Sequence, residues 1–231
     1  MTRRRRLAFA ALALPIVAGL VWLGIWQLHR RVWKLALIAQ VERKLAAAPV
    51  AAPGTDRWPA IGQEDTYTRL SAHGRYRPDQ VTFVQAVTDL GPGYWAMTPL
   101  VTDRGFTLLV DRGFVPQEMK GQPLPAPSGE VTVTGLLRLT EPHGGFLRAN
   151  DPAAGRWYSR DVAAIAGKRG TGPVAPYFLD ADTATSPGWP RGGLTVIRFP
   201  NNHLQYALTW FAMAALLAGA LGWMTVRPGK D

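Results

Sequence analysis

The chain contains no cysteine. Disulfides, thiolate metal sites and CxxC redox chemistry are therefore excluded. Its five methionines (positions 1, 97, 119, 213 and 224) are scattered, which argues against copper delivery, a task for Cys or Met clusters. Phosphate-cradling G-x-x-x-x-G-K-[ST], the dinucleotide fingerprint G-x-G-x-x-G, the zincin H-E-x-x-H and the nucleophile elbow G-x-S-x-G are all missing. No two carboxylates form a recognisable catalytic pair. These absences point away from an enzyme. Charge is missing from two stretches, residues 7–28 and 204–226, which are 22 and 23 residues long. At a rise of about 1.5 Å per residue each spans about 33–35 Å, enough to cross a bilayer core.

What is present fits around those two runs. The fold class expected is a membrane protein, with two transmembrane α-helices flanking a mostly-β (α+β) extracytoplasmic domain. The chain divides into a cytoplasmic tail (1–6), transmembrane helix 1 (7–28), a juxtamembrane helix (29–48), the mostly-β domain (49–202), transmembrane helix 2 (203–226) and a second tail (227–231). The mean hydropathy of −0.03 averages two apolar runs with a polar middle and hides both. Trp26-Gln27-Leu28-His29-Arg30 follows the first run where a signal peptide would carry small residues, so the run reads as an uncleaved anchor. The six residues ahead of it leave no room for a mitochondrial presequence.

The formal charge is +10. Residues 29–203 hold 20 Lys+Arg against 15 Asp+Glu, and the tails supply the remaining excess, mainly Arg3 to Arg6. This charge reads as membrane topology and attraction to anionic lipid, with no nucleic-acid motif beside it. Charges flanking the first helix usually set orientation, and long segments translocate largely regardless of charge. Both termini are therefore expected in the cytoplasm and the middle outside.

In residues 29–48, Trp33, Leu37, Val41 and Leu45 recur every fourth position, and Pro49 closes the segment. Residues 49–65 read as a loop. Strands are expected at 67–76, 81–87, 94–101, 106–111, 131–139, 177–179 and 194–199, with a hairpin turn at 102–105, where Gly105 accepts positive φ. Residues 121–130 form a Pro-rich loop. Residues 160–168 form the domain's short helix, with Val162, Ile165 and Ala166 on one side. Asp-Arg-Gly-Phe occurs at 103 and again at 111, too short a match to be a repeat. The simplest reading of the second copy is an ordinary strand end.

Of four histidines, His73 and His143 read as surface or packing residues. His203 differs, because it opens a spanning helix, and ionisable residues near a bilayer are functional candidates. Asn201 or Asn202 can cap that helix. His203, Tyr206 and Trp210 follow at i, i+3 and i+7 and share a face. The competing role for His203 is a polar residue that caps the helix or bonds to Gln27 of the first. His29 would lie near the same membrane face. Trp22, Trp26, Trp33, Tyr206, Trp210 and Phe211 either anchor helices at the interface or wall a flat ligand.

Gly24-Ile25-Trp26-Gln27-Leu28-His29-Arg30-Arg31-Val32-Trp33-Lys34 resembles the G-x-W-Q-x-x-R-x-x-W-K signature of the Surfeit locus family of cytochrome c oxidase assembly proteins. The resemblance continues in order. Tyr94-Trp95-Ala96-Met97-Thr98-Pro99-Leu100 is similar to that family's Y-x-x-x-T-P stretch. Residues 109–116, which include Asp111-Arg112-Gly113-Phe114, are similar to its V-[ND]-R-G-[FW]-V-P segment. Trp157-Tyr158-Ser159-Arg160-Asp161 falls on a W-x-x-x-D run. Residues 202–210 match N-x-H-L-x-Y-x-x-T-W. His29 stands at a variable position of the first signature.

The resemblance implies a non-enzymatic assembly factor for haem-copper terminal oxidases, acting at the bacterial inner membrane with its domain in the periplasm. It implies binding of haem a as transient cargo and assistance with its insertion into oxidase subunit I. Haem A synthase and the lipid bilayer are further partners, and nucleic acid is not. By motif position the axial ligand to the haem iron is His203, with Tyr206, Trp210, Trp26, Gln27 and Arg30 as the other cargo-binding candidates. Arg31 and Arg198 are alternative partners for the propionates. The positive end of the helix dipole at His203 favours a neutral imidazole, the form that ligates iron. The alternative function is a haem-independent scaffold that stabilises subunit I, with Arg112 and Phe114 as contact surface.

Overall fold

The structure is a computed structural model, and it describes residues 3–145, 147–182, 188–195, 197 and 199–226. The chain forms two compact units, Met1–Val41 with Ile197–Asp231, and Glu42–Val196.

The first unit is helical. Helix α1 (Arg3–Ala46) runs 44 residues without a break, so the apolar run and the amphipathic segment after it are one helix. Pro15 lies inside it, as is tolerated in membrane helices, where neighbours re-satisfy the freed carbonyl. The chain's last helix (His203–Val226) is uncharged throughout. Ala8–Ala46 and His203–Met224 are long and apolar enough to cross a membrane. Their outward side chains are apolar too: Leu12 is 71 % exposed and Leu216 76 %. Water would penalise such surfaces and hydrocarbon would not. Two such helices flank a β-rich domain, and this is the architecture of a two-span membrane protein.

The second unit holds seven strands, β1 (Val50–Ala51), β2 (Arg69–Tyr76), β3 (Thr82–Thr88), β4 (Gly91–Thr102), β5 (Thr107–Pro116), β6 (Val131–Leu139) and β7 (Val174–Ala181). Their order is β1-β2-β6-β7-β5-β4-β3, and β2 also pairs with β4. Strands β2, β6, β7, β5 and β4 thus close into a ring, which leaves no free edge among them. The length of β4 allows this. Its residues 91–97 pair with β3, and its residues 100–102 pair with the end of β2. Gly74 sits at that closure, where a Cβ would lie 2.2 Å from the Val101 carbonyl oxygen.

Side chains alternate across the ring wall, as the two-residue period of a strand requires. From β5, Leu108 and Val110 join Leu70, Leu100, Tyr177 and Leu179 in the inner core. Leu109 points the other way, to a second core with Val84, Met97, Trp157 and Phe178. The short helix α2 (Val162–Arg169) covers that outer face. Asp161 caps it by accepting from the Ala164 N–H at 3.1 Å, and Gly170 ends it at φ 63°. Val162, Ile165 and Ala166 are its buried side, as the spacing predicts. Full burial of Ile165 contributes roughly 1.5–3 kcal/mol.

Three expectations need correction. Residues 111–114 do not end a strand, because β5 continues to Pro116. The described part of 194–199 forms no strand. It belongs to a strap held by single bonds, including Gly193 N–H to the Ala181 carbonyl at 3.1 Å. The loop at 49–65 contains β1, which pairs in parallel with β2 at Leu70 and Ser71. Two residues of pairing are too few to leave a periodic signal in the sequence.

Candidate functional site

In the helical unit, Asn202 stands at the cap position through its backbone: its carbonyl accepts the Tyr206 N–H at 3.1 Å. The Asn201 side-chain oxygen is buried without a partner, so it does not cap. His203 therefore opens the helix, and its Nδ1 lies 2.8 Å from Oε1 of Gln27. An amide oxygen only accepts, so Nδ1 donates here, and in the neutral tautomer the lone pair falls on Nε2. This is the arrangement in which an imidazole ligates a metal, with its other nitrogen oriented by an acceptor.

Close helix contact brings the pair together. Gly24 is buried, and a Cβ there would lie 2.5 Å from the Phe211 ring. Ala207 and Ala214, one and three turns beyond His203, are buried as well. Small residues let two membrane helices approach closely.

The other expected site residues are placed unevenly. Trp210 is half-buried, and its Nε1 is buried without an acceptor. Trp26 and Tyr206 are exposed, at 48 % and 55 %. Arg30 lies over the Trp33 ring at 3.9 Å. Arg198 lies outside the described residues.

The β-rich unit has a polar centre of its own, to which the middle motifs supply Asp111 and Arg160. Asp111 of β5 and Asp180 of β7 are direct partners across a parallel pair. Both are buried. Arg160, three residues beyond Trp157, donates to Asp111 at 3.2 Å and to Glu141 at 2.6 Å. Arg138 lies 3.7 Å from both Asp180 and Glu141. Thr195 of the strap donates to Asp180. The Arg160 guanidinium also lies 4.8 Å from the Phe178 ring and 5.8 Å from that of Trp95.

Three acids thus share two guanidinium groups. Burial pushes the Asp111 carboxyl upward and Asp180 beside it adds to this, against the pull of Arg160 and the Gly113 N–H. Burial raises Asp180 too, with Thr195 working against it. Burial alone would raise Glu141 as well, but its bonds to Arg160 prevail and hold it below the usual range. Ionising all three acids would leave a net negative charge in a dry site, and a proton on the aspartate pair relieves it.

Gly113 explains the glycine of that motif. Its φ is 114°, and a Cβ would fall 1.9 Å from the Arg191 carbonyl oxygen. The strap can thereby pair with β5, through Phe114 N–H to Arg191 O and Arg191 N–H to Phe114 O, both at 2.9 Å. Of this cluster, Asp180, Arg138 and Glu141 had no sequence signal. They are ordinary strand and loop residues until the fold assembles them.

The SURF1 family model matches residues 14–215. The chain belongs to the SURF1 family. Surfeit locus protein 1 of Rattus norvegicus is 35 % identical over 84 % of this chain and 68 % of its own length. Surfeit locus protein 1 of Homo sapiens is 34 % identical over 90 % of the chain and 74 % of its own. A SURF1-like protein of Drosophila melanogaster is 33 % identical over 87 % and 72 %. The SURF1 family is one of cytochrome c oxidase assembly factors. The match takes in both polar centres and all five motifs. An oxidase assembly role associates the protein with the oxidase and with the bilayer.

Proposed function

We propose that this SURF1-family protein is a non-enzymatic assembly factor that binds haem a and assists its insertion into subunit I of the oxidase. It receives its cargo from haem A synthase. It acts in a bacterial inner membrane, with the β-rich unit in the periplasm and both termini in the cytoplasm.

The observation that carries this reading is the bond from His203 Nδ1 to Gln27 Oε1. In the neutral tautomer this bond puts the free lone pair on Nε2, at the start of a spanning helix, where it could take an axial position on a haem iron. Haem a is amphiphilic, with an apolar ring, a long isoprenoid tail and two propionates. A site at a helix end suits such a cargo, with the tail in lipid and the propionates towards water. The unpartnered Trp210 Nε1 would find an acceptor on the cargo. Trp26 and Tyr206 offer faces for the ring, and Arg30 would meet a propionate by leaving Trp33. One protein ligand favours a carrier over a permanent haem protein, because the cargo must leave.

The test is His203→Ala, purified in detergent after co-production with haem A synthase. Wild type is expected to show a Soret band and to yield haem a on extraction, and the variant to yield little. Equal haem a in both would overturn His203 as the ligand. No haem in either would favour the scaffold that stabilises subunit I without touching haem.

A further inference from the structure

One face of the β-rich unit carries three cations that take part in none of the ion pairs among the described residues. Arg112 is half-buried, and Lys120 and Arg191 are exposed. Each lies over an aromatic ring: Arg112 over Tyr76 at 5.2 Å, Lys120 over Tyr94 at 4.8 Å and Arg191 over Trp189 at 4.5 Å. The three belong to one region. Tyr94 and Trp189 pack on the third small core, around Val115 and Leu124. Arg112 donates to the Pro125 carbonyl beside Leu124. Arg191 pairs with Phe114, next but one to Arg112.

Among the described residues, the ion pairs of this unit join other side chains, and none includes these three. Glu118, exposed on the same segment as Lys120, is an acid placed beside them; its carboxylate is in none of these ion pairs, and it lowers the local charge by one. Arg112 is the costliest of the three to leave unpaired. Burial holds it below its usual value, partly offset by Tyr76, and a half-buried cation gains most from an arriving anion.

We propose that this face, with Arg112, Lys120 and Arg191 at its centre, docks on the phosphate headgroups of an anionic membrane surface. Cations beside Trp and Tyr are the side chains that settle at a membrane–water interface. Chain length also favours lipid over an acidic protein. Among the described residues Thr195 is the last of the strap bonded to the unit, and His203 opens the membrane helix eight positions later. At most about 3.5 Å per residue, that tether reaches roughly 28 Å. A bilayer surface is therefore always within range of this unit, and Arg191 lies on the same strap. The inference does not depend on the cargo.

The absence of cysteine makes the test clean. Gln117→Cys on this face, and Asp89→Cys in the β3–β4 turn as a control, each take a single environment-sensitive label in the full chain. The proteins are reconstituted in vesicles of phosphatidylcholine alone or with phosphatidylglycerol. The label at position 117 is expected to be shielded from an aqueous quencher only where phosphatidylglycerol is present. Salt, or Arg112→Gln, Lys120→Gln and Arg191→Gln together, should abolish the shielding. Each cation removed should lower the docked-to-free ratio roughly fivefold. Equal quenching in both vesicles would overturn the proposal. So would shielding that survives the triple substitution, or shielding that appears only when an acidic protein partner is added.

Discussion

In the helical unit a single side-chain bond, Gln27 to His203, forms the polar centre; Trp26 and Tyr206 beside it stand open and Trp210 is half-buried. In the β-rich unit Asp111, Asp180, Glu141, Arg138 and Arg160 bind one another in a buried network, and the strap's Thr195 joins them. Both centres hold residues from motifs of the same family. The first has valences left over: His203 Nε2, Trp210 Nε1 and the faces of Trp26 and Tyr206. The second has spent nearly all of its valences on itself. A group that must meet a cargo needs unspent bonding capacity, and a group that must hold a fold cannot keep any. Motif residues alone do not distinguish these roles, whereas the hydrogen-bond inventory does.

The sharpest way to break this contrast is to remove Arg160. Arg160→Leu leaves buried Asp111 and half-exposed Glu141 without their closest cation, and for the buried partner such a loss costs about 3–5 kcal/mol. The denaturation midpoint of the detergent-purified protein should fall accordingly. Haem a per folded molecule should stay near wild type. A variant that unfolds normally but loses cargo would move the functional centre into the β-rich unit.

The two copies of Asp-Arg-Gly-Phe show why one part of this was legible and the other not. At 103 the tetrapeptide turns a hairpin. Asp103 is exposed and faces His73 at 3.3 Å, and Gly105 takes φ 80°. At 111 the same residues run inside β5, where Asp111 is fully buried and Gly113 makes room for the strap. Local sequence is identical, so the difference lies in what the ring of strands brings against it. Asp180 comes from a parallel partner 69 positions away. By contrast, the apolar runs, the β-rich middle and α2 with its buried side were legible, because each depends on spacing within one segment. The Gln27–His203 contact was legible as well, as the role set against haem ligation for His203, since two helices and a polar residue near each end leave few partners to choose from.

The second prediction separates the network's protons from its bonds. Burial and Asp180 push the Asp111 carboxyl from 3.8 up to about 7. Between pH ~4 and ~7 the native state then holds a proton that the unfolded chain has released, so stability falls as pH rises through this window. A rise of that size corresponds to a stability change of about 4 kcal/mol, complete above pH ~7. Asp180, also raised, contributes with the same sign. Glu141 is lowered, so its contribution is lost only as pH falls below the usual carboxylate range, outside the window. Asp111→Asn should remove most of the slope in midpoint against pH. An unchanged slope would mean that the aspartate pair is not where the proton resides.

The smallest effect belongs to the other centre. Gln27 does not touch the cargo in this reading; it acts through His203, by accepting the Nδ1 proton. Gln27→Leu fills a similar volume, which leaves helix packing at Gly24 and Phe211 in place. The imidazole, however, becomes free to rotate and to exchange tautomers. Removal of such an orienting acceptor typically costs 10–100-fold in metal affinity. Haem a titrated into the apo protein should bind that much more weakly, with the thermal midpoint nearly unchanged. Gln27→Glu keeps an acceptor at the same reach and should restore most of the affinity, and a merely structural role for Gln27 would not produce that recovery. If the leucine variant binds haem a as wild type does, the imidazole needs no orienting partner. The bond to Gln27 would then be a packing contact of two helices, no more specialised than the network in the β-rich unit.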